Sequence, residues 1–245
     1  MATIDHVTIR VADLAASRDL YQQVFDLLEF SGERRDGAEF VEWWDFSIAQ
    51  DDADHPATRN AHVALAASSR EQVHRWWREL VTAGRRDDGA PGPRPIYSPG
   101  YYGAFVRDPD DNSVEAVVHE TTTREPGLVD HLWIRVPELE PAKRFYAAVA
   151  PAVGLRVHDR GERLQLGADG ASLAVLAGRP TESLHLAFGV GDRETVERFH
   201  RAALAGGGVD NGGPGERPQY HAGYWGAYVL DPGGNNIEAV FHDRG

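Results

Sequence analysis

The feature that most constrains the fold is that the chain repeats itself. Asp5-His6-x-x-Ile9-Arg10-Val11 returns 125 residues later as Asp130-His131-x-x-Ile134-Arg135-Val136, and Leu14 and Tyr21 return as Leu139 and Tyr146. Farther on the offset becomes 123, and residues 89–120 align without a gap on 212–243 with 18 identities in 32 positions. That block holds Gly-Tyr-x-Gly-Ala at 100–104 and 223–227, and Asp-Pro-x-x-Asn-x-x-Glu-Ala-Val-x-His at 108–119 and 231–242. A two-residue loop deletion in the second copy accounts for the change of offset. A tandem duplication of this kind predicts two domains, 1–122 and 127–245, joined at the polar stretch Thr121–Pro126. Each half is long enough to bury a core of its own.

Each half divides again. Val7, Ile9 and Val11 alternate with His6, Thr8 and Arg10, the period of a strand. Asp13 is placed to cap a helix carrying Leu14, Leu20, Tyr21, Val24 and Leu28. Residues 38–50 read as strand, and a further strand begins at 60–65. Ser68-x-x-Glu71 forms a capping box for a helix through Val73, Trp76, Leu80 and Val81 that stops at Gly84, and two strands flank the turn at Asp108–Asp111. The second half repeats the order, with helices at about 138–150 and 192–205. The pattern is βαβββ four times, an α+β fold.

Composition excludes several chemistries. With no cysteine there is no thiolate nucleophile, disulfide or Cys-held metal, so a metal must sit on His, Asp or Glu. A net charge of −13 argues against binding a phosphate backbone, so no nucleic-acid partner is expected. No apolar run is long enough to span a bilayer, and MATIDHVTIR does not read as a signal peptide; the expected location is the cytoplasm.

The repeat also sorts the eleven histidines. His6 pairs with His131, His62 with His185 and His119 with His242, whereas His55, His74, His158, His200 and His221 have no counterpart. The first two pairs sit early in the opening strand of a βαβββ unit, and Glu115 and Glu238 lie on closing strands. Each half thus carries two histidines and a carboxylate on three strands, spaced 56 then 53 residues in the first half and 54 then 53 in the second. Two imidazoles and one carboxylate are the facial set that holds non-haem iron(II) and leaves positions open; manganese, nickel, cobalt or zinc also suit it. His119 and His242, four residues beyond the glutamates, read as outer partners of such a site rather than ligands. Pairing is open at this level. Either His6 joins His62 and Glu115 while His131 joins His185 and Glu238, or the units exchange, so that His6 joins His185 and Glu238 while His131 joins His62 and Glu115.

Four βαβββ units, with a histidine opening alternate units and a glutamate on the closing strand after an Asp-Pro turn, resemble the vicinal-oxygen-chelate superfamily of glyoxalase I, extradiol dioxygenases and bleomycin-resistance proteins. The resemblance covers about 4–119 and 129–242. It implies two tandem glyoxalase-like domains with U-shaped mixed sheets. It also implies a divalent metal held by His6, His62, Glu115, His131, His185 and Glu238, iron(II) being favoured. Glyoxalase I-like members add an acidic fourth ligand, but the matching positions are Ala49 and Ala174, with Gln50 the only nearby donor. That departure favours the extradiol enzymes. Their signature is nearly matched in the second half by His221, Tyr228, Asp231-Pro232, Gly234 and Glu238, with Ala227 where a larger apolar residue precedes the Tyr, and the first half has Ser98 and Phe105 instead of the His and Tyr. The resemblance makes His221 the candidate acid/base, with Tyr228 as its hydrogen-bonding partner.

Tyr101, Tyr224 and Trp133 are candidate walls of a substrate cup, and Arg10 and Arg135, on the histidine face of their strands, are candidate anion partners. The expected function is a metal-dependent oxygenase acting on a small aromatic or polyketide-like molecule with adjacent oxygens. The alternatives are a glyoxalase-like lyase or isomerase, and a drug-sequestering protein without chemistry. A monomer or homodimer is expected.

Overall fold

The computed structural model describes residues 3–119, 125–168 and 171–243; residues 121–124 of the expected joint lie outside them. Four βαβββ units follow one another, as the sequence pattern predicts. The first is β1 (Thr3–Val11), α1 (Leu14–Leu27), β2 (Arg34–Asp36), β3 (Phe40–Trp43) and β4 (Phe46–Gln50). The second is β5 (His62–Ala66), α2 (Arg70–Thr82), β6 (Arg86–Pro93), β7 (Tyr102–Arg107) and β8 (Ser113–Val118). The third is β9 (Val129–Val136), α3 (Leu139–Ala152), β10 (Arg156–Asp159), β11 (Arg163–Ala168) and β12 (Ala171–Ala177). The fourth is β13 (Leu184–Gly189), α4 (Arg193–Ala205), β14 (Val209–Glu216), β15 (Tyr224–Leu230) and β16 (Asn236–His242). No helix among the described residues is long and apolar enough to cross a membrane.

The strands form two eight-stranded mixed sheets, ordered β14-β15-β16-β13-β1-β4-β3-β2 and β10-β11-β12-β9-β5-β8-β7-β6. By backbone contacts the chain divides into one unit of Met1–Thr8 with Trp133–Gly245 and another of Ile9–Leu132. The repeat records how the sequence was copied; the contacts record how it packs. The opening strand β1 therefore gives its first residues to the unit built from the second half of the chain.

Local chemistry explains the elements. Asp13, in extended conformation, accepts from Ala16 N and caps α1, as its position predicts. The α2 cap falls one residue later than the predicted Ser68: Ser69 is the extended residue whose hydroxyl accepts from Gln72 N. Gln72 closes the box in place of Glu71, its carbonyl oxygen accepting from Ser68 N. Two adjacent serines present the same motif, and the backbone angle at Ser69 decides between them.

Each unit has its own core. In the unit of Ile9–Leu132 the α1 side chains Tyr21 and Phe25 pack on Trp43 and Phe46, all fully buried. In the other unit Phe145, Tyr146, Phe188 and Phe199 play that part. A buried polar knot recurs at the Asp-Pro turns. Asp108 accepts from Asn112 N, Asp110 N and the Tyr21 hydroxyl, and Asp231 accepts from Asn235 N, Gly233 N and the Tyr146 hydroxyl. The knot fixes the turn that enters β8 or β16, the strand carrying the glutamate.

Candidate metal centre

Three adjacent strands build each candidate site. In the first sheet these are β16, β13 and β1; in the second, β8, β5 and β9. The pairs β13/β16 and β5/β8 run parallel, with His185 opposite Asn236 and His62 opposite Ser113. Glu238 and Glu115 lie two residues farther along, on the same face as the histidine, because side chains alternate along a strand. The exchanged pairing is the one adopted: His6, His185 and Glu238 form one cluster, and His62, Glu115 and His131 form the other. Each cluster lies within a single compact unit.

Five of the six donor–donor distances in the two clusters suit a common divalent ion, and the His6–Glu238 one is longer. The His6 and His185 Nε2 atoms are 3.0 Å apart, and Glu238 Oε2 is 3.2 Å from His185 Nε2 and 3.7 Å from His6 Nε2. In the other cluster, His62 and His131 Nε2 are 3.4 Å apart, with Glu115 Oε2 3.0 Å from the first and 3.4 Å from the second. Ligands about 2.1 Å from a common ion at right to tetrahedral angles stand about 3.0–3.4 Å from one another. A further test is chemical. Oε2 of Glu238 is wholly buried and accepts no hydrogen bond, a cost that a bound cation removes.

The outer partners are only partly legible in the sequence. The Tyr224 hydroxyl donates to Glu238 Oε1 at 2.7 Å, and the Tyr101 hydroxyl donates to Glu115 Oε1 at 2.7 Å. These tyrosines, expected as substrate walls, each donate to the glutamate of a cluster and orient its carboxylate. The repeated Gly-Tyr-x-Gly-Ala supplies the space as well, since a Cβ on Gly226 would stand 2.6 Å from Glu238 Oε1 and one on Gly103 would collide with Glu115. Asp5 and Asp130 are visible as repeated Asp-His dipeptides but not as site residues. Asp5 Oδ1 lies 2.8 Å from His6 Nδ1, and Asp130 Oδ1 lies 2.8 Å from His131 Nδ1. A carboxylate holding Nδ1–H leaves Nε2 bare for a metal. His242 Nε2 lies 3.0 Å from Asp5 Oδ2 and His119 Nε2 lies 3.1 Å from Asp130 Oδ1. The Asn236 amide lies 2.8 Å from Nδ1 of His185.

Burial alone would raise the Asp5 and Asp130 carboxyls, but hydrogen bonds to the flanking histidines outweigh it and hold both well below the usual carboxylate range. In the second cluster burial would lower His131, yet its bonds to Asp130 and Glu115 push it up to about 9. Glu115 is lowered in turn, its bonds to His131 and His62 overcoming burial.

The remaining candidates separate. Tyr228 stands opposite Glu238 in the β15/β16 register, its ring 6.3 Å from that of His185, and its buried hydroxyl lies close to Glu238. Burial, and then the charge of Glu238, push its pKa up, so it stays a donor. Phe105 holds the matching place, its ring 5.9 Å from His62. His221 is not bonded to Tyr228. Its Nε2 lies 2.8 Å from His242 Nδ1 and its Nδ1 2.8 Å from Ala222 O, so it joins the line His221–His242–Asp5–His6. Arg10 reaches Gln50 O at 2.9 Å and Asp52 at 3.8 Å, and Arg135 lies over the Trp133 ring at 5.7 Å. Gln50 is no ligand: its amide donates to Val11 O and Ala12 O and accepts from Leu14 N, securing the start of α1.

Comparisons agree with this architecture. Glyoxalase I from Zea mays superposes with a TM-score of 0.71 at 21% identity, over 99% of this chain and 93% of that one. A putative dioxygenase from Bacillus subtilis subsp. subtilis str. 168 superposes with a TM-score of 0.64 at 12% identity, over 99% and 86%. Among curated proteins none matches the sequence. Residues 3–116 match the family model described as Glyoxalase/Bleomycin resistance protein/Dioxygenase superfamily. Residues 3–116 therefore form a domain of that superfamily, and the whole chain has a tandem glyoxalase-like fold, consistent with the vicinal-oxygen-chelate superfamily.

Proposed function

We propose that the chain is a metal-dependent enzyme whose reaction takes place at His6, His185 and Glu238. The reading we favour is an extradiol-dioxygenase-like oxygenase acting on a small aromatic or polyketide-like substrate with adjacent oxygens. One observation carries it: beside this facial trio lies Tyr228, whose buried hydroxyl neighbours Glu238. A buried phenol beside a buried carboxylate keeps a donor next to the place where an ion and a substrate would sit.

His6, His185 and Glu238 would hold the ion, with Asp5 and Tyr224 keeping His6 and Glu238 in orientation. The chemistry such an ion supplies is Lewis acidity toward adjacent substrate oxygens and, as iron(II), reactivity with dioxygen. The Tyr228 hydroxyl donates to a substrate oxygen and fixes the ring. His221, expected as the acid/base, acts at the outer end of the histidine line, exchanging protons with solvent through His242. Ring opening consumes one dioxygen per substrate, breaks a carbon–carbon bond beside the oxygenated pair and leaves both oxygen atoms in the product.

The second reading is a glyoxalase-like lyase or isomerase, supported by the end-to-end fold match to the maize enzyme. Oxygen decides between them. Protein reconstituted with iron(II) and offered catechol-type substrates should take up dioxygen in proportion to substrate consumed. Turnover that continues unchanged under anaerobic conditions rejects the oxygenase and leaves the isomerase or lyase. Tight ligand binding that survives chelation, with no turnover, would point to a sequestering protein instead.

A further inference from the structure

Two trios of the same residue types invite the expectation of two metal ions per chain. We infer that the chain takes one, at His6, His185 and Glu238, and that His62, Glu115 and His131 form a closed hydrogen-bonded cluster that ties three strands together. This inference rests on the metal-dependent reading above and sharpens it.

The two clusters differ in three respects. The first is access. Side chains of His6 and His185 are 25% and 20% exposed, whereas those of His62 and His131 are 4% and 7% exposed. Three protein donors do not complete a coordination shell; a water or substrate must supply the rest, so a three-ligand site needs an open side. The first cluster has one and the second does not.

The second difference is the state of the carboxylate. Glu115 is satisfied on both oxygens, Oε1 by the Tyr101 hydroxyl and Oε2 by His62 Nε2 at 3.0 Å. The Tyr101 hydroxyl also lies 3.3 Å from His131 Nε2, so phenol, carboxylate and imidazoles close on one another. Glu238 has the corresponding tyrosine on Oε1, but its Oε2 is buried without a hydrogen bond. A partly satisfied buried network is costly, and a fully satisfied one is rigid.

The third is the neighbour across the strand pair. Tyr228 brings a hydroxyl to the first cluster, and Phe105 brings a hydrocarbon edge to the second. Only the first has a donor for whatever completes the shell. An arginine lies over each of these rings, Arg217 at 5.4 Å and Arg94 at 5.4 Å, so the surroundings are matched and the hydroxyl is the change.

The test is a count of ions by elemental analysis after equilibrating chelator-stripped protein with manganese(II), read alongside water-proton relaxation, which reports an ion that keeps exchangeable water. Wild-type protein should hold one manganese per chain with enhanced relaxation. Glu238→Gln should lose that ion, its affinity falling at least about tenfold. Glu115→Gln should still hold one ion, with the enhancement intact. Two ions in the wild type overturn the inference and leave the metal-dependent reading standing. So does one ion that persists in Glu238→Gln and vanishes in Glu115→Gln. No ion in the wild type overturns the parent reading and this inference with it. If Glu115→Gln does not fold, the wild-type count and Glu238→Gln decide alone.

Discussion

Tyr224 donates to Oε1 of Glu238 at 2.7 Å, from a strand antiparallel to the one that carries the glutamate. This bond aims the other carboxylate oxygen at the two imidazoles. Tyr224→Phe should therefore weaken manganese(II) binding by about ten- to a hundredfold while leaving the fold intact. Competition against a fluorescent chelator measures it, and unchanged affinity would refute the orienting role.

Tyr228 makes a different prediction, because its hydroxyl lies beside Glu238 without the short bond that Tyr224 makes to it. Tyr228→Phe should leave metal affinity unaltered and lower kcat by about a hundredfold, the usual cost of removing one positioned donor. A loss confined to KM would mean that the hydroxyl only binds substrate.

Gly226 lies where a side chain has no room, its Cβ position 2.6 Å from Glu238 Oε1. Gly226→Ala should displace the carboxylate and cost about 1–3 kcal/mol of stability. Urea unfolding with and without manganese checks both effects. A variant that keeps full metal affinity would show that the carboxylate tolerates the shift.

The Asp-Pro knots are matched structural devices. Tyr21→Phe and Tyr146→Phe each remove the phenol from a buried aspartate, Asp108 or Asp231, whose carboxyl burial already pushes up. Each should cost about 1–3 kcal/mol in urea unfolding, and the two should add, since the knots lie in separate units.

The pH dependence follows from Asp5 and Asp130, both held below the ordinary carboxylate range. Their folded-state pKa is depressed, so the stability they contribute is present above the unfolded value of about 4 and is lost as pH falls toward the folded value. His242→Gln and His119→Gln weaken the depression. The stability gap between wild type and the double variant should therefore persist from about pH 5 down to about pH 3 and close only at lower pH, as the folded-state carboxyls take up protons. A gap that stays constant would place the effect in packing rather than charge.

Much of the fold is legible in the amino-acid sequence. The doubled order of elements follows from the period of Val7, Ile9 and Val11 and from turn residues at fixed places, because strand and helix periods are local properties. The ligand types follow from within-chain repetition. What the sequence leaves open is tertiary: whether His6 meets His62 or His185 depends on which strands become neighbours, and both choices satisfy the same pattern. Tyr101 and Tyr224 stand out in the sequence but read there as walls, because an aromatic near a site can line a cup or grip a carboxylate, and only the strand register separates the two. Motif order ties His221 to Tyr228, whereas its ring nitrogens face His242 and Ala222 O.

The strand exchange has a consequence for how such a chain can be divided. A polypeptide ending at residue 122 would possess His6 without His185 or Glu238, and would possess His62 and Glu115 without His131. Neither half owns a whole trio. The single covalent chain is what makes each cluster a matter of intramolecular folding rather than of concentration, and a substitution of His6 in the first repeat falls on a cluster completed by His185 and Glu238 of the second.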